Sequence, residues 1–239
     1  MRINWNYLKL FFLFICVTTL YAFSNQRNAK REISGIEHEF VGEESLFVNR
    51  DMVNKLLIQN YGSLKNVPKE KVVLNTIEEV IETDEMVKIA QVYLTVNGEL
   101  KSKIEQRQPI GRVEGVSKFY LDKDGKSMPL SRIYSARVPI ITGEITGKSL
   151  EDVYVILKYI NKDDFLRKNV IGIHIEEEEN YQLKFRLESF VVQLGDVKDL
   201  EEKFNNFKAF YTKANRDKTL DNYLVVSLEF NNQVVCTKI

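Results

Sequence analysis

Residues 90–104 read Ala90-Gln91-Val92-Tyr93-Leu94-Thr95-Val96-Asn97-Gly98-Glu99-Leu100-Lys101-Ser102-Lys103-Ile104. Ala90, Val92, Leu94 and Val96 fall on one side of an extended chain, and Gln91, Tyr93 and Thr95 on the other. That is the period of a half-buried strand. Asn97-Gly98 supplies the positive φ angles of a two-residue type I′ turn, after which Leu100, Ser102 and Ile104 return on a second strand. The stretch predicts a β-hairpin.

Upstream, Ile36, His38 and Phe40 alternate with Glu37 and Glu39, which predicts a strand over Ile33 to Val41. Asn49 suits the N-cap of a helix with Met52, Val53, Leu56, Leu57 and Asn60 on its stripe, and Gly62 suits its stop. Pro68 fits the first turn of a second helix striped by Val73, Ile77, Val80 and Ile81. Strand, helix, helix, strand, strand makes a compact domain of roughly 75 residues, two helices laid on one face of a small sheet.

At the front, Leu10 to Ser24 carries no charge. Trp5, Tyr7, Leu8 and Ser24 to Gln26 extend this run into the range of a membrane-spanning helix, about 17 to 25 residues. Lys9 can snorkel, and Trp5 and Tyr21 suit the interface. A cleaved signal peptide is the rival, but Leu20-Tyr21-Ala22-Phe23-Ser24 puts bulky rings where a cleavage site needs small groups. Ile15 before Cys16 argues against lipoprotein processing for the same reason. Charge does not orient the segment: Arg2 and Lys9 precede it, and Arg27, Lys30 and Arg31 follow. A short tail with no room to fold favours the N-terminus inside and the bulk outside.

Downstream of Arg107 the pattern changes. Gln108-Pro109-Ile110-Gly111 breaks regularity and marks a boundary. Lys118 to Asp122 reads as a short strand and Asp122-Lys123-Asp124-Gly125 as a turn. A helix is expected from about Ser149, with Asp152 as its N-terminal partner and Leu150, Val153, Tyr154, Leu157 and Ile160 as its stripe. Strands follow at 170–175, 181–186 and 189–194. A further helix is expected from Asp196, with Leu200, Phe204, Phe207 and Phe210 or Tyr211 inward. Strands at 223–230 and 233–239 close the chain around Asn231-Asn232. This unit reads as α+β.

Lys and Arg together number 34, as do Asp and Glu, so the net charge is zero. Nucleic-acid binding, which wants a basic excess, has no support. The cysteines, Cys16 and Cys236, would lie in different phases, so no disulfide is expected. His38 and His174 each sit inside a strand pattern, which suits a structural role better than a metal or general-base role. Asp122-Lys123-Asp124-Gly125 lacks the later ligands of a calcium loop, since residue 133 is Ile. Glu176 to Glu179 reads as a solvated hairpin tip. No cofactor, metal, small-molecule or catalytic site is expected, and no enzyme.

Glu105-Gln106-Arg107-Gln108-Pro109-Ile110-Gly111-Arg112-Val113 resembles the end of the polypeptide-transport-associated (POTRA) domain in FtsQ/DivIB-type bacterial cell-division proteins, where a Q-R-x-P signature closes the first domain. Phe119-Tyr120-Leu121-Asp122 with Gly125, Met128-Pro129-Leu130-Ser131, Tyr134-Ser135-Ala136-Arg137-Val138-Pro139 and Thr142-Gly143 resemble the FtsQ of Bacteroidetes-type bacteria. Pro109 and Pro139 hold the residues before them extended. Arg107 and Arg137 either hold two domains in register or stand as solvated charges.

The resemblance implies an α+β protein: a cytoplasmic tail at 1–9, a transmembrane signal anchor at 10–26, a linker at 27–32, a POTRA-like βααββ domain at 33–107 and an FtsQ-type mixed, strand-rich domain with two packed helices at 108–239. It further implies a single-pass inner-membrane protein with periplasmic bulk at the mid-cell division site. Such a protein would be a non-enzymatic divisome scaffold that binds FtsB/FtsL-like bitopic proteins, works alongside other divisome components and influences septal peptidoglycan synthesis. The family's partner site lies on the final hairpin and last strand, here Phe230 to Ile239. Phe230, Gln233, Val234, Val235 and Cys236 are the expected partner-binding residues; Phe230 matches the family's aromatic, and the match fades after the turn. A last strand without a successor offers an edge for β-augmentation, or it merely completes the sheet. The alternative function is a POTRA-containing periplasmic chaperone or secretion and assembly factor.

Overall fold

The computed structural model describes residues 5–29, 31–42, 47–177, 180–230 and 232–239. The chain divides into two compact units, Met1–Gln106 and Arg107–Ile239.

The first unit starts with helix α1 (Trp5–Ala29). Its Trp5–Arg27 portion is long and apolar enough to cross a membrane. Within it, the Thr18 and Thr19 hydroxyls donate to the Phe14 and Ile15 carbonyls at 3.0 and 2.8 Å, which leaves neither hydroxyl unbonded in an apolar setting. The helix continues to Ala29 and so takes in residues expected to form a linker. Strand β1 (Gly35–Val41), helix α2 (Arg50–Tyr61), helix α3 (Leu74–Glu82), and strands β2 (Val87–Leu94) and β3 (Glu99–Gln106) follow. The sheet order is β1-β3-β2. β1 runs parallel to β3, with His38 opposite Ser102, and β2 runs antiparallel to β3. Asn49 caps α2 by accepting the Met52 N–H at 2.9 Å, and Gly62 ends it at φ 70°. Val53, Leu57, Ile77 and Ile81 are buried with Ala90, Val92, Leu100 and Ile104.

Two local expectations for this unit fail. Pro68 precedes a separate one-turn 3-10 helix, Lys69–Lys71, and Val73 stands outside α3 as an extended, exposed residue. The hairpin turn is also not type I′. The Gly98 N–H donates to the Thr95 carbonyl (3.1 Å) and the Thr95 N–H to the Glu99 carbonyl (2.9 Å), enclosing three loop residues. Only Gly98 takes positive φ, 91°, which makes this a type I turn closed by a glycine bulge. Val96 thereby leaves the buried face.

Among the described residues of the second unit, nine strands form one sheet. They are β4 (Pro109–Glu114), β5 (Lys118–Asp122), β6 (Ser127–Met128), β7 (Ile140–Gly143), β8 (Val170–Glu177), β9 (Asn180–Phe185), β10 (Val191–Gly195), β11 (Tyr223–Ser227) and β12 (Val235–Lys238). Their order is β12-β11-β10-β9-β8-β7-β4-β5-β6. Helices α4 (Gly147–Lys162), α5 (Asp164–Asn169) and α6 (Leu200–Arg216) pack on it. Val153, Ile156, Leu157, Phe204 and Phe207 bury themselves with Ile141, Ile173, Leu183, Val192 and Val226. The fold is α+β.

The structure corrects several expectations here. Residues 109–111 open β4 instead of breaking regularity; Pro109 sits at a strand start, where its missing N–H is tolerated. β6, β7 and the short α5 come in addition. β7 lies in the interior of the sheet, and Gly143 (φ 102°) is required there, because a Cβ would stand 1.9 Å from the Ile175 carbonyl oxygen. α4 starts two residues early, because the Thr146 hydroxyl accepts the Ser149 N–H (3.1 Å) while the Ser149 hydroxyl accepts the Thr146 N–H (2.8 Å). Asp152 instead accepts the Tyr181 hydroxyl at 2.7 Å. α6 starts four residues late: Asp196 is held by the Lys203 ammonium at 2.7 Å, and Asp199 turns through left-handed φ (51°) before Leu200.

Candidate partner-binding edge

The residues that could carry chemistry are engaged structurally. His38 is buried, with Nδ1 2.5 Å from the Ser102 hydroxyl and Nε2 3.0 Å from the Asn54 amide oxygen; burial pulls its pKa down. His174 is exposed and meets the Thr142 hydroxyl at 3.0 Å. Asp122 is buried. One of its oxygens takes Arg107 Nε at 2.7 Å, and the other accepts the Asp124 and Lys126 N–H groups at 3.0 and 2.8 Å. Its oxygens are satisfied by Arg107 and by its own turn. Arg107 also donates to the Ser127 carbonyl at 2.8 Å, so it is bonded within the second unit; Arg137 is exposed. Glu176 accepts from Asn180 at 2.9 Å, while residues 178–179 of the acidic run lie outside the described residues. Among the described residues, no group of three or more His, Cys, Asp or Glu could hold a metal ion.

The final hairpin is different. β12 pairs antiparallel with β11, Ser227 opposite Val235, Val226 opposite Cys236 and Val225 opposite Thr237. Among the described residues β12 has no second neighbour. The direction of its backbone groups follows from two bonds. The Leu228 N–H donates to the Gln193 carbonyl at 2.8 Å, so Leu228 and Val226 turn towards β10, and Ser227 and Val225 towards β12. At the far end the Ile239 N–H donates to the Asn222 carbonyl at 3.1 Å. By alternation, Val235 and Thr237 bond inward to β11, and Cys236 and Lys238 turn their N–H and C=O groups outward.

The expected site residues therefore separate into roles. Val235 is exposed by side chain (41%) but its backbone is used. Cys236 offers its backbone, while its half-buried side chain packs against the core together with that of Val234. Burial pushes the Cys236 thiol pKa up, away from reactivity. Phe230 is half exposed and, with Leu228, Asn232 and Gln233, lines a groove beside α6. Across it stand Asp199, Glu202, Lys203 and Asn206. Lys203 is tied to the Asp196 carboxylate and the Leu194 carbonyl, so the rim is acidic through Asp199 and Glu202. Sequence reasoning did not find these α6 residues. They lie about thirty positions upstream of the strand, and no local pattern links them to it.

The small sheet has two outer strands, β1 and β2. At β2 the edge is covered. Its Ala90 N–H donates to Glu82 Oε1 at 2.9 Å and its Val92 N–H to Glu78 Oε1 at 2.6 Å, so two α3 carboxylates cover that edge.

A POTRA-like βααββ unit behind an apolar helix is followed by an α+β unit whose last strand has one neighbour among the described residues. A model of the POTRA-like domain matches residues 42–105. A model described as FtsQ/DivIB, C-terminal related, matches residues 108–237, more than half of the chain, and the chain belongs to this FtsQ/DivIB family. The family is division-associated and generally non-enzymatic. No curated protein matches the chain.

Proposed function

We propose that this chain is a divisome scaffold, anchored once in the inner membrane by α1, with its short N-terminus cytoplasmic and its two folded units periplasmic at mid-cell. It captures an extended segment of an FtsB/FtsL-like bitopic partner on β12 and so influences septal peptidoglycan synthesis. The observation that carries the reading is the outward backbone of Cys236 and Lys238 on a strand with one neighbour. A partner strand would bond there, with Phe230 and the groove beside α6 supplying side-chain selectivity. The acidic rim favours a partner segment with a basic residue at that level. The alternative is a POTRA chaperone that augments its small sheet; Glu78 and Glu82 already cover β2, which leaves β1 for that role.

The test is capture of the FtsB/FtsL-like partner by the full-length chain, alongside localisation of a fluorescent fusion in dividing cells. Mid-cell rings and capture lost on Cys236→Pro support the proposal. A uniform envelope distribution, or capture unchanged by that substitution in a folded protein, sinks it.

A further inference from the structure

The segment that leaves α1 is fastened almost at once. The Lys69 N–H donates to the Arg31 carbonyl (3.0 Å), the Ile33 N–H to Val67 (2.9 Å), and the Ser34 N–H to Gly98 (2.9 Å). Ile33 is fully buried. Gly98, at the β2–β3 tip, lies so close that a Cβ would stand 2.8 Å from the Glu32 carbonyl oxygen. Arg31 itself donates to the Val96 carbonyl at 2.6 Å, and Lys69 Nζ to the Thr95 carbonyl at 3.2 Å.

These bonds tie the hairpin tip to the end of the apolar helix. From Ala29 to Arg31 the chain spans at most about 7 Å. Val96 and Arg31 share a cleft with Leu20, Tyr21, Phe23 and Arg27 of α1. Val96 points away from the core, 81% exposed. Arg27 lines the same cleft, and Arg31 and Lys69 bond the carbonyls of the tip, with Glu32 and Glu99 beside Gly98. Arg31 uses one donor on Val96, which leaves others of its five for an anion. Arg31 thus has work in the folded unit, which accounts for its position on the flank where orientation signals would not place it.

We propose that the Val96 tip, with Arg31 and Lys69, docks on anionic phospholipid headgroups of the bilayer that holds α1, and so fixes how the POTRA-like unit stands on the membrane. This goes beyond the partner edge and depends on α1 being a membrane anchor. The bilayer is the occupant because the covalent reach from α1 is too short to hold the tip away from it. The cations meet the phosphates, and Val96 enters the boundary between headgroup and acyl chain.

The probe is the full-length chain carrying Cys16→Ser, Cys236→Ser and Val96→Cys, labelled at position 96 with an environment-sensitive dye. It is placed in nanodiscs of phosphatidylcholine, alone or with phosphatidylglycerol. No partner protein is present, so the result is independent of β12. The expected result is blue-shifted emission, with about a twofold rise in intensity, when phosphatidylglycerol is included, reversed by high salt. Arg31→Gln with Lys69→Gln should remove the response; should that variant not fold, the lipid and salt comparison decides alone. The same emission in both lipids, insensitive to salt and equal to that of a label on exposed Leu187→Cys, overturns the proposal. So does failure of the chain to enter the nanodisc.

Discussion

The edges of β2 and β12 face the same physical problem and solve it oppositely. Each is the outermost strand of its sheet, with every second backbone group directed away from its neighbour. At β2 the outward N–H groups of Ala90 and Val92 are taken by Glu82 and Glu78, so an intruding strand would have to displace two carboxylates. At β12 the groups of Cys236 and Lys238 meet no such cover among the described residues. The far end of the large sheet is blunted in a third way: β6 is two residues long, and Pro129 follows it. Two of the four outer strands are thus protected, while β12, like β1 on the other side of the small sheet, keeps a single neighbour among the described residues.

The largest contrast should come from two adjacent prolines. Cys236→Pro removes an outward N–H and should cut partner capture at least about tenfold, a 1.4 kcal/mol effect, with little change in Tm. Val235→Pro removes an inward ladder bond and should cost about 2 kcal/mol of stability, read by urea unfolding. Equal melting of the two variants would undo the assigned alternation. Next, Glu78→Ala with Glu82→Ala should uncover β2, destabilise the first unit by about 2 kcal/mol and raise concentration-dependent association in sedimentation. A double variant that stays monomeric and fully stable would mean the carboxylates do not guard that edge.

Phe230→Ala should weaken capture by roughly 1 kcal/mol, since exposed aromatics beside a groove are common anchors, and should leave Tm unchanged. A fall in Tm with unchanged capture would return Phe230 to a packing role. The smallest effect concerns β1. Burial holds the pKa of His38 below its usual value of 6.5. The unfolded chain therefore binds a proton at higher pH than the folded one, and the stability from the neutral histidine is present above about pH 6.5 and lost as pH falls below it. Denaturant midpoints of the first unit should drop between about pH 7.5 and 5.5, and His38→Gln should flatten that slope.

What could be read from the sequence was local. Asn49 and Gly62 bracket α2 because capping needs only neighbouring residues, and the alternation of Leu100, Ser102 and Ile104 marks β3 because pleating has period 2. What escaped depended on distant partners. β7 is four residues long and exists because β4 and β8 flank it in parallel. Asp196 marked an expected helix start but serves Lys203, and the serine in the Thr146 capping box hides the start of α4. The terminal strand was legible as a strand. Which of its residues face outward was not, because that parity is set by Leu228 on Gln193 and by Ile239 on Asn222. The groove wall from α6 was likewise invisible.

The most direct test is amide hydrogen exchange at single-residue resolution along β12, with and without the FtsB/FtsL-like partner. Free protein should exchange Cys236 and Lys238 quickly and Thr237 slowly, and the partner should protect the first two. Slow exchange of Cys236 and Lys238 in the free protein, or no added protection in a formed complex, would contradict an open edge that docks a strand.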